Sequence, residues 1–190
     1  MLKSNYIIIK MEMFKTTSEF IELNNEEIEK IKTTSLKKRI KNECNDLYKD
    51  YDNVLIDIFN NKIIVSAMEN IFDKDNVIIK RLSYKFILDN HYPFRPPEEI
   101  YVNNYLYSNL LKIKSDYEKQ MVKKIKGQDC LCCYSINCAS NWSPAIRLYR
   151  IIDEIKAIIK FKRDIINLLL SEKIKNKHNI PYANIEAYLI

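Results

Sequence analysis

Residues 91–97 read His91-Tyr92-Pro93-Phe94-Arg95-Pro96-Pro97. Three prolines in five residues fix φ, remove backbone donors and bias their predecessors toward extended conformations. Neither a helix nor a ladder strand tolerates that, so the stretch is a rigid, extended loop. Upstream lie two strand-like runs, 54–59 and 62–68, separated by Asn60-Asn61. Asparagine accepts positive φ, so this dipeptide is a tight hairpin turn. A third run, 77–88, alternates in part through Leu82, Tyr84 and Phe86. Downstream, 100–102 gives a short fourth strand. Four consecutive strands imply an antiparallel meander interrupted by the proline loop.

Helical patterns lie outside the meander. In residues 35–50, Leu36, Ile40, Cys44 and Leu47 share one face, and Ser35 is a favoured cap. Ser143-Pro144 pairs a cap residue with a residue favoured at the first helical position. Ile151, Ile152, Ile155, Ile158 and Ile159 then form a broad apolar stripe that runs to about residue 170, as one helix or two. A last short helix is expected over 181–190. Residues 110–126 are lysine-rich, with apolar punctuation that fits a short helix or a loose insertion. The fold class is therefore α+β: an N-terminal helix, a four-stranded antiparallel meander sheet, a long irregular segment, then C-terminal helices. Residues 1–33 read as an N-terminal extension, and 34–190 as one domain.

The chain has 190 residues, 47% hydrophobic and 29% charged, which fits a globular domain and excludes global disorder. Gly127 is the only glycine, while Lys, Asn, Ile and Tyr abound. That bias matches an AT-rich coding genome, such as that of a parasite or a large DNA virus. The net charge of +6 is spread along the chain, as on a solvated lysine-rich surface. No apolar run is long enough for a bilayer, and 6–9 is too short for a signal-peptide core. An intracellular protein, cytoplasmic or nuclear (in a host cell if viral), is expected, with no membrane partner. Cys130, Cys132, Cys133 and Cys138 crowd into nine residues, with Cys44 apart. Disulfide scaffolds spread their cysteines, so free thiols are expected.

Several of these pieces line up with one family. Tyr92-Pro93-Phe94-Arg95-Pro96-Pro97 resembles the Tyr-Pro-Phe-Lys-Pro-Pro segment after the third strand of ubiquitin-conjugating enzymes. Trp142-Ser143-Pro144-Ala145 resembles the Trp-Ser-Pro-Ala that opens their second helix. Between them, Tyr107-Ser108-Asn109 stands where the family has His-Pro-Asn. Gly127-Gln128-Asp129-Cys130-Leu131 stands where it has Gly-x-x-Cys-Leu. The likeness covers roughly residues 35–160. It implies an acyltransferase that takes ubiquitin, or a ubiquitin-like protein, from an activating enzyme onto a cysteine. The modifier then passes to a lysine or to a ligase. The ATP-dependent activation belongs to the preceding enzyme, and no metal or cofactor is implied.

The resemblance makes Cys130 the nucleophile, with Cys133 as the alternative, and Asn109 the group beside the oxyanion. It gives Phe94, Pro144 and Ala145 to ligase binding, and Lys37, Lys38 and Arg39 to the activating enzyme. The sequence departs from the family in several ways, among them Cys132 in place of an Asp and no recognisable counterpart of the family's last two helices. Asn109 and Cys130 are 21 apart, wider than the family spacing, so 110–126 is an insertion. Closure entropy rises slowly with loop length, so such an insertion is tolerable. Trp142 follows Cys130 by 12, also wider, and His-Pro has become Tyr107-Ser108.

Three other readings compete. A catalytically inactive family variant would act as a binding scaffold. A zinc module would use Cys130, Cys132, Cys133 and Cys138. Against it, a Cys-x-Cys-Cys run is expected to send adjacent side chains in opposed directions, and His91 and His178 are far off in sequence. A nucleic-acid binder would use 112–126, where Tyr117 is the sole aromatic and arginine is absent, so nucleic acid is not an expected partner.

Overall fold

A computed structural model describes residues 24–51, 53–72 and 78–175. The element order is α1 (described over 24–29), α2 (Thr34–Leu47), β1 (Asn53–Phe59), β2 (Lys62–Phe72), β3 (Ile78–Leu88), β4 (Glu99–Val102), β5 (Tyr105–Leu106), α3 (Tyr107–Leu110), α4 (Asp116–Lys126) and α5 (Leu148–Lys175). The architecture is mixed α+β, with one antiparallel sheet in the order β1-β2-β3-β4-β5. The short helix expected over 181–190 lies outside the described residues.

The sheet has five strands where four were expected. Asn103-Asn104 closes β4 onto β5 as Asn60-Asn61 closes β1 onto β2, and all four asparagines have positive φ, between 49° and 67°. With a single glycine in the chain, asparagine supplies the left-handed conformation that tight hairpins need. Asn103 is also fixed from outside: its Oδ1 accepts from Ser83 N–H at 2.9 Å, and its own N–H donates to Ser83 O at 2.9 Å.

The sheet buries one face. Register pairs Val54 with Ala67 and Tyr84 with Ala67, and pairs Val65 with both Ile56 and Phe86. These side chains are buried, and Val102 and Ile100 extend the row beside Tyr84 and Phe86. Against that row pack Leu36, Ile40, Cys44 and Leu47 of α2, and Leu148, Ile151, Ile152 and Ile155 of α5. The α5 residues recur at i, i+3, i+4 and i+7, the spacing of one helical face. Ile28 and Ile31 join the same core, so the end of the expected 1–33 extension packs with the domain. Among the described residues, no helix is long and apolar enough to cross a membrane.

The last helix starts later than its capping signal. Ser143 and Pro144 form a turn, in which Ala145 N–H donates to Ser143 Oγ and Ile146 N–H to Ser143 O. The helical ladder is refused there because Arg39 takes its acceptors. One guanidinium nitrogen donates to Pro144 O at 2.7 Å, and the other to Ile146 O. Leu148 N–H, which would have bonded Pro144 O in a helix starting at that proline, donates instead to Glu43 Oε2 at 2.9 Å.

Residues 110–126 are not a loose insertion. Ser115 caps α4 by accepting from Glu118 N–H, and Asp116 and Glu118 occupy the favourable first turn. Val122 of α4 packs with Leu131 and with Ile165 of α5 in a second core cluster. Lys162 reaches from α5 to pair with buried Glu118 at 2.8 Å and to donate to Lys112 O at 2.7 Å.

Candidate functional site

Gly127 ends α4 with φ of 73°, its N–H donating to Lys123 O at 2.8 Å. A Cβ built on it meets nothing within 4 Å, so the left-handed backbone, not crowding, is what calls for glycine. The chain then passes Cys130, buries Leu131 against Val122, and makes a tight 3-10 turn, Cys132–Tyr134. Tyr134 N–H donates to Leu131 O, and Ser135 N–H to Cys132 O, both at 3.2 Å. The Tyr134 hydroxyl donates back to Lys126 O. Helix α4 and the cysteine turn are thus one local unit.

The five cysteines fall in two environments, and all carry free thiols. Cys44 is buried under α2, and burial pushes its thiol up to about 12. Cys130 is half-buried, and Cys132 and Cys133 are exposed. Cys130 Sγ lies 3.0 Å from Cys133 Sγ. Hydrogen bonding from Cys133, then from Cys132, holds the Cys130 thiol below its ordinary value. The same pairing raises Cys133 to about 12. The two thiols are hydrogen-bonded and titrate as a pair, with the lowering on Cys130 and the raising on Cys133. Cys138 is half-buried and contacts Ser140 Oγ at 3.2 Å, which lowers its thiol.

The expectation that adjacent cysteines diverge is corrected here. The sulfurs of Cys130, Cys132 and Cys133 all lie within 4.8 Å of one another. A turn of about three residues brings i and i+3 onto one side, which aligns Cys130 with Cys133.

Trp142 joins two of the expected site segments. Its indole Nε1–H donates to Pro93 O at 2.7 Å, and its ring lies 6.2 Å from that of Tyr92. This holds the loop carrying Phe94, which is 79% exposed, to the turn carrying exposed Pro144 and Ala145. Between cysteine turn and tryptophan, the Asn141 amide donates to Cys133 O at 2.8 Å and to Ser135 O at 3.1 Å.

Asn109 lies in α3, exposed, with Oδ1 accepting from Lys112 Nζ at 2.7 Å. Its link to the cysteine turn runs through Glu154 of α5. The buried Tyr107, two residues before Asn109, donates its hydroxyl to Glu154 Oε1 at 2.6 Å. The other oxygen accepts from Ile136 N–H, three residues after Cys133, at 2.8 Å. Sequence reading missed Glu154. Its signal is a carboxylate adjoining the buried stripe, one residue before Ile155.

The three basic residues of α2 separate. Lys38 is exposed, Lys37 pairs with Glu29 at 2.7 Å, and Arg39 turns inward. Arg39 pairs with buried Glu43 at 2.6 Å and lies over the Tyr92 ring. Glu43 also accepts from the Tyr92 hydroxyl at 2.6 Å and pairs with Arg147 at 3.3 Å. It therefore anchors α2, the proline loop and the start of α5 together, a role that sequence reading did not assign.

No protein family, curated protein or solved structure matches the chain.

Proposed function

We propose that this chain carries ubiquitin or a ubiquitin-like modifier as a thioester on Cys130. One observation carries the reading: an accessible cysteine, its thiol lowered by hydrogen bonding, lies in sequence between two motif segments that Trp142 and Pro93 tie together. The meander sheet flanked by α2 and α5 supports the likeness to ubiquitin-conjugating enzymes.

The chemistry is two acyl transfers. The Cys130 thiolate attacks the thioester carbonyl at the modifier's C-terminus on the activating enzyme. The tetrahedral oxyanion collapses, the new C–S bond remains, and the activating enzyme's thiolate leaves. A neutral lysine amine, or a ligase thiolate, then attacks the Cys130 thioester. Cys130 leaves as thiolate, and the amine route releases one proton. A low thiol pKa aids both steps, since it supplies the nucleophile and improves the leaving group. Asn109 is assigned to the oxyanion. Lys112 occupies its amide oxygen, whereas the amide nitrogen is the donor an oxyanion requires. Phe94, Pro144 and Ala145 are the ligase surface in this reading. Lys38 is the exposed basic contact for the activating enzyme.

One observation favours a catalytically inactive scaffold instead. Tyr107 stands where the family has histidine and is committed to Glu154. The test is to incubate the protein with activating enzyme, modifier and ATP and look for a reductant-sensitive adduct of one modifier. An adduct lost in Cys130→Ala and kept in Cys133→Ala supports the carrier. Loss only in Cys133→Ala moves the nucleophile. No adduct with any of several activating enzymes and modifiers leaves the scaffold.

A further inference from the structure

We infer that Cys130, Cys132 and Cys133 form a binding site for one zinc ion. The three sulfurs already lie within 4.8 Å of one another. With Zn–S bonds of about 2.3 Å, a tetrahedral site needs sulfur–sulfur edges of about 3.8 Å. The Cys130–Cys133 contact at 3.0 Å opens by less than about 1 Å to reach that edge. Cys132 and Cys133 are exposed, so no packing opposes a rotation of their side chains.

The donor set selects the ion class. Three thiols, with no carboxylate or imidazole in the group, suit a soft or borderline cation and not magnesium or calcium. The backbone beneath them is fixed by the turn bonds at Tyr134 and Ser135, by buried Leu131, and by Asn141 donating to Cys133 O. The ligands therefore converge on a held turn, and the ordering entropy is largely spent before the ion arrives.

Electrostatics point the same way. The three sulfurs stand close enough for their charges to interact. Three adjacent thiolates repel one another, and a divalent cation among them removes that penalty. On binding, three S–H protons pass to solvent, three Zn–S bonds form, and nothing is oxidised. The complex carries one net negative charge. Lys123, Lys124 and Lys126 stand in the last turn of α4, a few residues before Cys130 in sequence. Cys138 contacts Ser140 and stands outside the group, so the fourth position is open to water. Zinc and a thioester compete for the Cys130 sulfur, so the ion would also mask the proposed nucleophile reversibly.

The full chain, reduced with a phosphine and stripped of metal, is titrated with zinc against a chromophoric indicator. Cobalt is added in parallel for its thiolate charge-transfer band. The expected result is one zinc per chain and a cobalt band typical of three thiolates. Cys130→Ser, Cys132→Ser and Cys133→Ser should each weaken zinc beyond the roughly ten- to hundredfold cost of losing an outer-shell partner. Cys138→Ser should bind as wild type. Circular dichroism establishes that each variant is folded. Substoichiometric binding, unchanged affinity in Cys132→Ser, or loss in Cys138→Ser would each overturn the site. So would a protein in which Cys130 and Cys133 join as a disulfide and zinc is refused even after reduction. These readouts need no thioester, so the zinc site and the carrier reading fail separately. If both hold, zinc blocks charging of the wild type and spares Cys132→Ser.

Discussion

The carboxylate of Glu43 accepts the backbone N–H of Leu148 at 2.9 Å, across 105 residues of chain. A side chain of α2 thereby caps the last helix, in place of the nearer Ser143. Glu43 is fully buried and also meets Arg39, Arg147 and the Tyr92 hydroxyl. Removing one member of a buried charge network strands the rest, at a cost of about 3–5 kcal/mol. Glu43→Ala should therefore lower the denaturation midpoint strongly. Glu43→Gln keeps one acceptor oxygen and should cost less. Equal midpoints for wild type and Glu43→Ala in a urea titration would remove the network from any account of this fold.

The Trp142–Pro93 bond couples the loop of Phe94 to the turn of Pro144 and Ala145. Trp142→Phe keeps most of the packing and deletes the donor, a loss of about 0.5–1.5 kcal/mol. Phe94 N–H donates to His91 O, and Ile146 N–H to Ser143 O, so both segments carry an amide to watch. Hydrogen exchange at both should speed up together in Trp142→Phe. Acceleration on one side only would mean that the segments are held independently.

Much of this architecture is legible in local signals. The apolar spacing of α2, the Asn60-Asn61 turn and the proline loop each act within a few residues, and each gives its element. The failures arise where distant groups override local ones. Ser143-Pro144 is a good local helix start, but Arg39 and Glu43 redirect the carbonyls and the N–H that would use it. Asn103-Asn104 repeats the turn signal of Asn60-Asn61, and β5 escapes notice because it has only two residues. The convergence of three sulfurs depends on a 3-10 turn, which carries no apolar period to read. Glu43 and Glu154 are legible in hindsight as carboxylates on or beside apolar helical faces, though their partners are not.

A buried ion pair helps tie α4 to α5. Glu118 and Lys162 are 4% and 6% exposed and lie 2.8 Å apart, and Glu118 also accepts from Lys114 N–H at 2.7 Å. Lys162→Met leaves the buried carboxylate without its counter-charge, again at about 3–5 kcal/mol. The main core lies elsewhere, so the damage should be local. Limited trypsin digestion should cut within 112–126 before any other described region. Adding Glu118→Leu should restore resistance, because an apolar pair can replace a buried ionic one. A double variant as fragile as Lys162→Met would show that the charge serves more than this pairing.

The Cys130 thiol offers a test with a definite sign. Its pKa lies below the ordinary 9.0, with Cys133 hydrogen bonding the largest cause. A lowered pKa leaves more thiolate at any given pH, and thiolate is the form that alkylates. Site-resolved iodoacetamide labelling of Cys130 should therefore reach half its maximal rate below pH 9.0. The rate should fall as pH drops through that midpoint. Cys133→Ala removes that hydrogen bond, so the curve should move to higher pH and labelling near neutrality should slow. Ser140→Ala should leave the Cys130 curve in place and raise the midpoint of Cys138, whose lowering comes first from Ser140. Were Cys133→Ala to leave Cys130 unchanged, the sulfur pair would not be what lowers its thiol, and Cys132, the next cause, would be the group to replace.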